Sequence, residues 1–206
     1  MYKRYILPRV IDWACSQPTG MLQREMVIPM ARGQVLEVGI GSGKNLPFYD
    51  GSRVEHLTGI DPMDRLWDRN KTALSSLDFD VVYLKASAER IPHEDNSFHT
   101  VVSTSTLCSI KNIGEALKEM YRVLKPDGSL IFAEHGAAPD AALARRQNLL
   151  NPIWKQIGGG CNLNRDIPGL LREAGFNLDG MSEGYQEGWR PVSYHYWGWA
   201  TKVESL

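Results

Sequence analysis

The chain has 206 residues, of which 43% are hydrophobic and 23% are charged, and its formal net charge is −1. This length suffices for one hydrophobic core and is short for two independent domains, and the near-neutral charge gives no reason to expect a nucleic acid partner. Without a run of about 18 apolar residues or a signal-peptide core, the sequence predicts no membrane-spanning helix and a cytoplasmic protein.

The first segment, YILPRVIDWACS, predicts an amphipathic helix. Leu7, Val10 and Ile11 recur at helical spacing, while Arg9 and Asp12 lie on the other side. We expect residues 1–30 to form a helical lid on the domain. The alternative is a peripheral contact with a membrane through this helix.

A regular alternation of strands and helices follows. Short apolar runs predict strands, and longer segments with a helical period lie between them. Because helical crossovers bury a parallel sheet on both faces, the pattern predicts a doubly wound α/β domain. The predicted strands are 35–38, 56–61, 81–84, 99–103 and 130–133, and the predicted helices are about 63–77 and about 113–124, the second ending at Pro126-Asp127-Gly128.

The end of the chain differs from this alternation. Residues 164–174 predict a helix closed by Gly175, and two strand-like runs follow at 176–183 and 192–202. So short a link joins neighbouring strands in antiparallel fashion, so we expect a β-hairpin at one edge of the sheet. The whole chain is then one domain, with a cofactor-binding core at 33–136 and a substrate side at 137–206.

The stretch VLEVGIGSGKN, residues 35–45, places Gly39, Gly41 and Gly43 after a strand, where a ligand can approach the backbone closely. A phosphate, a dinucleotide or a nucleoside without phosphate could lie there. A phosphate loop would need a glycine where Val38 stands and a hydroxyl residue where Asn45 stands. The dinucleotide fingerprint would need a third glycine at Lys44.

Charge favours the third ligand. Glu37 precedes the turn and would repel a pyrophosphate, whereas it would attract a cation such as S-adenosylmethionine, which has an amino group and a sulfonium. Asp61 ends the second strand and can accept hydrogen bonds from both ribose hydroxyls. Its alternative role is to cap a helix that begins at Pro62.

At this point the residues resemble a family. The segments VLEVGIGSGKN, LTGIDP, SAERIPHEDNSFHTVV and ALKEMYRVLKPDGSLIFAEHG are similar to the successive motifs of class I S-adenosylmethionine-dependent methyltransferases, in the quinone-biosynthesis-like branch that acts on small molecules. The resemblance covers residues 33–136. It implies a Rossmann-like sheet of seven strands with an antiparallel last strand, S-adenosyl-L-methionine as cofactor and S-adenosyl-L-homocysteine as product.

A narrower likeness joins the chain to the methyltransferase-like 7 proteins, which are alkyl-thiol methyltransferases. It rests on TLCSI at 106–110, AEHG at 133–136, NPIWKQIGGGCNLNR at 151–165 and YHYWGWATK at 194–202. The likeness implies a small methyl acceptor, most simply a thiol or hydrosulfide. An amine, a phospholipid headgroup or a quinone-type carbon or oxygen is the alternative acceptor, and a cofactor-binding module without activity is the alternative class.

The resemblance also implies roles for individual residues. The glycine turn lets the cofactor lie on the backbone, with Glu37 at its methionine end and Asp61 at its ribose. Ser87 stands where such enzymes usually have an aspartate that faces adenine. A neutral serine binds the adenine amino group more weakly, so we expect backbone contacts at Ala88 to dominate adenine recognition. The predicted cofactor-binding residues are Glu37, Gly39, Gly41, Gly43, Asp61, Pro62, Ser87, Ala88 and Ser103.

Methyl transfer from a sulfonium requires alignment of the acceptor and exclusion of water, and it demands no catalytic metal. His135 follows the fifth strand and is the best placed base, because substrates meet the carboxyl ends of such strands. Cys108 and Cys161 are further catalytic candidates beside the acceptor. Cys15, Cys108 and Cys161 lack the close paired spacing of a zinc site, so the sequence predicts reduced thiols and no metal.

Overall fold

The computed structural model of the chain describes residues 6–67, residue 74 and residues 77–203. Seven strands form one sheet in the order β3-β2-β1-β4-β5-β7-β6. Strands β1 to β5 are parallel, and β7 runs antiparallel to both β5 and β6, which confirms the predicted fold class. The strands are Gly33–Val38 (β1), Val54–Ile60 (β2), Asp80–Leu84 (β3), Phe98–Thr104 (β4), Leu124–His135 (β5), Phe176–Tyr185 (β6) and Tyr194–Lys202 (β7).

The central strands are apolar on both faces. Leu36 and Val101 belong to one buried cluster, while their neighbours Val35 and Val102 belong to a second. Successive side chains of a strand point to opposite faces, so helices cover the sheet on each side. The carboxyl ends of the parallel strands therefore meet at one open edge, where the site is built.

Helices flank the sheet at the bounds Leu7–Ala14 (α1), Pro18–Val27 (α2), Asp64–Trp67 (α3), Ile113–Val123 (α4), Ala141–Ile157 (α5) and Ile167–Glu173 (α6). The predicted helix at 63–77 is described only for α3 and residue 74, and the rest of it lies outside the described residues. Helix α4 passes directly into β5 at Leu124, which pairs with Phe98. The strand predicted at 130–133 is thus the middle of a longer one.

Side-chain caps set the bounds of two C-terminal helices. Asp140 accepts from the Leu143 N–H at 2.8 Å and begins α5. Asp166 accepts from the Gly169 N–H at 3.0 Å, so α6 starts there and not at Asn164 as predicted. The side chain of Asn164 instead donates to Asn148 of α5.

The N-terminal segment forms two helices, where one amphipathic helix and a lid were predicted. Leu7 is buried, whereas Val10 and Trp13 are exposed, so only part of the apolar side of α1 packs on the domain. We find no helix among the described residues that is long and apolar enough to cross a membrane.

A close approach between β6 and β7 requires glycine at Gly198. Its φ is +141°, and an added Cβ would lie 1.9 Å from the Gly180 carbonyl oxygen. We expect Gly198→Ala to lower the free energy of unfolding by about 2 kcal/mol or more, because strain and overpacking add. Urea unfolding followed by circular dichroism measures the change.

Gly114→Ala is the matched control. Gly114 lies in α4 with no heavy atom within 4 Å of an added Cβ. Alanine favours a helix by up to about 1 kcal/mol over glycine, so this variant should be as stable as the parent or more so. Equal stability of Gly198→Ala and the parent would show that the two strands separate without cost at this point.

Candidate functional site

A cavity of about 390 Å³ opens at the carboxyl ends of the parallel strands. This volume lies in the range of small-molecule sites, about 300–1,000 Å³. Its wall combines the turn after β1, the chain after β2, β3 and β4, and one side of α1. The wall segments are residues 37–42, 60–63, 86–89 and 104–106, with Ile11 and Asp12 from α1 and Cys15 just after it.

The glycine turn forms the closest approach of backbone to cavity. Gly39, Gly41 and Gly43 have φ values of +77°, +52° and +69°, which favour glycine. An added Cβ on Gly39 would lie 2.2 Å from the Thr106 hydroxyl oxygen. The turn is held in place because the N–H groups of Gly39 and Ile40 both donate to the Ile60 carbonyl, at 2.8 and 3.2 Å.

Asp61 joins the glycine turn to the chain after β2. Its Oδ2 accepts from the Gly41 N–H at 3.1 Å, and its Oδ1 accepts from the Met63 N–H at 2.7 Å. Burial raises the pKa of Asp61, while the bonds from Met63 and Gly41 oppose that shift. The bond to Gly41 shows that helix capping is not its only role. Each oxygen can accept a further bond from a ribose hydroxyl.

Glu37 is buried in a polar network at the other side of the turn. Its carboxylate accepts from the Asn45 amide at 2.9 Å and from the Tyr49 hydroxyl at 2.7 Å. Burial raises the pKa of Glu37 to about 7, against the bond from Tyr49 and the charge of Arg24.

Arg24 is a cation in the same wall that the sequence did not predict. Its Nε donates to Asn45 Oδ1 at 3.0 Å, which ties it to the Glu37 network. Arg24 is 3% exposed and lines the cavity together with Glu37. An acid and a guanidinium in one wall complement the amino and carboxylate groups of a methionine moiety. Nothing local in the sequence reveals this role, because an arginine in an amphipathic helix is usually a surface charge.

The chain after β3 supplies the side of the cavity predicted to face adenine. Ser87 and Ala88 line it as expected. The Ser87 hydroxyl donates to the Glu89 carboxylate, and Glu89 lines the cavity too. This bond lowers the pKa of Glu89. An acid two residues further along is therefore present near the position where the sequence analysis found only a serine.

Two residues predicted to bind the cofactor have other places in the structure. Neither Gly43 nor Ser103 is among the described residues that line the cavity. The Gly43 N–H closes the turn by donating to the Ile40 carbonyl at 2.8 Å. Ser103 is completely buried, and its hydroxyl donates to Glu134 of the neighbouring strand β5 at 3.1 Å. Pro62 does line the cavity, beside Asp61.

The three predicted catalytic residues meet next to this cavity. The ligand atoms of Cys108, His135 and Cys161 all lie within 4.8 Å of one another, and His135 Nε2 is 3.2 Å from Cys161 Sγ. Cys108 follows β4, His135 ends β5, and Cys161 follows α5. We call these side chains the Cys–His–Cys cluster. None of the three is among the described residues that line the cavity, whereas their chain neighbours Thr106, Ser109 and Gly159 do line it.

The pKa values of the three groups in the Cys–His–Cys cluster are shifted in different directions. The hydrogen bond from Cys161 holds the pKa of Cys108 well below its usual range, against burial and with help from the charge of His135. The same bond and burial raise the pKa of Cys161. Burial lowers the pKa of His135, but the charge and hydrogen bond of Cys108 together with the charge of Glu134 outweigh it, so the net shift is upward.

Glu134 positions the chain that carries Cys108, a role that the sequence analysis missed. Its Oε1 accepts from the N–H groups of Thr106 and Leu107 at 2.8 and 3.0 Å. Burial raises the pKa of Glu134 to about 7. Only its place one residue before His135 could have drawn attention to it.

Helix α1 lies along the cavity, and its role as a lid stays a prediction. Asp12 forms an ion pair with Lys44 at 3.2 Å and accepts a hydrogen bond from the Ser42 hydroxyl. Ile11 of the same helix and Cys15, which follows it, also line the cavity. The peripheral membrane contact through this helix stays a prediction.

Known proteins share this architecture. A family model described as a methyltransferase domain matches residues 36–132. The chain is 33% identical over 185 residues to human thiol S-methyltransferase TMT1A, covering 87% of this chain and 75% of that protein. It is 32% identical over 176 residues to rat thiol S-methyltransferase TMT1B, covering 82% and 70%. The crystal structure of an S-adenosylmethionine-dependent methyltransferase from Thermotoga maritima has a TM-score of 0.65 at 20% identity, covering 98% of both chains.

The bonds made by Asp61 predict a loss of cofactor affinity when its charge is removed. We expect Asp61→Asn to weaken binding of S-adenosylhomocysteine about ten- to hundredfold, because hydrogen bonds to charged groups contribute about 1.5–3 kcal/mol. Isothermal titration calorimetry measures the change. Glu55→Gln, at the opposite end of the same strand and exposed, should bind as the parent does. Equal affinity of Asp61→Asn and the parent would contradict the assignment.

The buried Glu37 predicts a pH dependence of stability. Its pKa rises from 4.5 to about 7 on folding, so the folded state binds more protons than the unfolded state between these values. Stability from this group is therefore present at low pH and lost as pH rises. Relative to Glu37→Gln, the parent should lose about 2–3 kcal/mol of unfolding free energy between about pH 5 and about pH 8.

Urea unfolding at matched ionic strength measures this difference. The exposed acid Glu55 supplies the control, because Glu55→Gln should keep the pH dependence of the parent. Parallel stability curves for Glu37→Gln and the parent would show that Glu37 is not protonated on folding.

Proposed function

The chain belongs to the S-adenosylmethionine-dependent methyltransferases, and we propose that its methyl acceptor is a small thiol or hydrosulfide. The cofactor is S-adenosylmethionine, which supplies a methyl group on a positively charged sulfur and leaves as S-adenosylhomocysteine. The protein has to hold this cofactor, orient the acceptor and keep water out. Arg24, Glu37, Asp61 and Glu89 are the polar side chains of the cavity wall that would hold it.

The Cys–His–Cys cluster carries the proposal. A thiol with an ordinary pKa of about 8.5 is mostly protonated near neutral pH, and the thiolate is the nucleophile. An acceptor thiol therefore gains from a proton acceptor beside its binding place. His135 ends β5 at the edge of the sheet where the cavity opens, and we assign it that role.

Cys108 and Cys161 support His135 in this proposal. The short contact between His135 Nε2 and Cys161 Sγ, 3.2 Å, fixes the orientation of the imidazole ring. Negative charge on Cys108 favours the protonated ring once it has formed. Neither cysteine needs to carry the methyl group, because direct transfer requires no covalent intermediate on the protein.

The cavity wall also bears on the choice between a thiol and an amine. Aromatic faces attract a cationic nitrogen. Along the described parts of the chain, no aromatic side chain lines the cavity. Trp154 and Trp189 contact each other, with ring centroids 4.8 Å apart, but they lie outside its wall. The names of the two similar human and rat proteins, thiol S-methyltransferases, support the same choice.

A panel of acceptors tests the proposal. The protein is incubated with labelled S-adenosylmethionine and, in turn, alkyl thiols, hydrosulfide, amines, phenols and phosphatidylethanolamine vesicles, and methylated products are identified by mass spectrometry. We expect methylation of thiols. His135→Gln should lower kcat/KM for thiols about a hundredfold or more, the usual size of a proton-transfer contribution, with unchanged affinity for S-adenosylhomocysteine.

His195→Gln is the matched control. The His195 ring lies 6.3 Å from that of His135, and both its nitrogens have partners, Gln23 and the Val192 carbonyl. Its thiol activity should stay within a few-fold of the parent. Transfer to amines or lipids without transfer to any thiol would reject the proposed acceptor.

A further inference from the structure

Three side chains that could bind a metal ion are far apart in the sequence and come together in the structure. We propose that the Cys–His–Cys cluster binds a zinc-class divalent cation through Cys108 Sγ, His135 Nε2 and Cys161 Sγ. Two thiolates and an imidazole are the ligands that zinc prefers in proteins. Three protein ligands with a free fourth position are typical of reactive zinc sites and not of structural ones.

The spacing of the ligand atoms suits a tetrahedral site. In such a site the zinc bond lengths separate sulfur from nitrogen by about 3.5 Å and sulfur from sulfur by about 3.8 Å. In the structure, His135 Nε2 and Cys161 Sγ are 3.2 Å apart, and all three atoms lie within 4.8 Å of one another. Shifts of about an ångström or less therefore suffice to place the three atoms around one cation.

The loops that carry the two cysteines are bonded to each other. The backbone N–H and the side-chain amide of Asn162 both donate to the Cys108 carbonyl at 2.9 Å. Gly159 and Gly160, with φ values of +69° and +97°, turn the chain so that Cys161 reaches Cys108. The ligands are thus held together before any cation binds, which reduces the cost of ordering them.

Burial and charge favour a cation at this place. Cys108 is 3% exposed, so a cation held by its sulfur would be largely shielded from water. Two thiolates neutralise a divalent cation, so the loaded cluster carries no net charge into the protein interior. Two charged side chains of opposite sign bind the chain next to Cys108: Glu134 accepts from the Leu107 N–H, and Arg165 donates to the Leu107 carbonyl.

A bound cation changes how an acceptor is ionised, and this step rests on the proposed function. The fourth position would take the sulfur of the acceptor thiol, and a metal-bound thiol releases its proton to solvent. His135 is then a ligand and not a proton acceptor, because both roles use the same lone pair of Nε2. The cation thereby replaces His135 as the group that produces the thiolate.

Metal content tests the site without reference to activity. The full chain is stripped with a chelator, reduced, loaded with Zn²⁺ and separated from free metal, and bound zinc is measured by mass spectrometry. We expect about one zinc per chain. Loading with Co²⁺ should give the near-ultraviolet absorption of sulfur-to-cobalt charge transfer. Cys108→Ser and Cys161→Ser should each weaken Zn²⁺ binding at least about tenfold.

Cys15→Ser is the matched control. Cys15 is the remaining cysteine and lines the cavity, but it is not in the cluster. This variant should bind zinc as the parent does, and an unchanged circular dichroism spectrum shows that each variant is folded. Thiol titration before loading confirms that all three cysteines are reduced.

The outcomes separate this inference from the proposed function. Reduced protein that retains no zinc, or equal zinc in the parent and both cluster variants, overturns the metal site, even if thiols are methylated. Zinc bound through the cluster with no methylation of any thiol upholds the metal site and rejects the thiol acceptor.

Discussion

The buried carboxylate of Glu134 is the interaction on which the geometry of the site depends. It stands on β5, yet it accepts hydrogen bonds from the backbone of Thr106 and Leu107, which follow β4. The chain after β4 is therefore fixed relative to the end of β5. Thr106 packs against the glycine turn from one side of that chain, and Cys108 meets His135 from the other. One acid thus sets both the cavity wall and the neighbouring cluster of sulfur and nitrogen ligands.

The cofactor side of the cavity follows from the sign of its charges. A phosphate-binding turn presents backbone N–H groups to an anion. Here the Gly41 N–H already donates to Asp61, and Glu37 lines the same cavity. Both acids have pKa values raised by burial, so each gains from a ligand that brings positive charge or hydroxyl donors. Arg24 supplies a buried positive charge that the carboxylate of an amino acid group would require.

The sequence allowed the sheet, the glycine turn and Asp61 to be predicted, because these depend on local patterns. Apolar runs, turn glycines and a strand-terminal acid each occur within a few residues. Arg24 and Glu89 escaped prediction, since their roles depend on contacts between distant segments. The predicted start of a helix was wrong where a single capping side chain sets it, as Asp166 does for α6. The chemical candidates Cys108, His135 and Cys161 could be named singly, but their contact requires the loop that Gly159 and Gly160 turn inward.

The ion pair of Asp12 with Lys44 connects α1 to the glycine turn itself. A molecule that enters or leaves the cavity past α1 has to break this pair and the bond from Ser42. The helix and the turn are thus tied together by one ion pair and one hydrogen bond. A change in the position of α1 would therefore be felt by the glycine turn as well as by the cavity that both of them line.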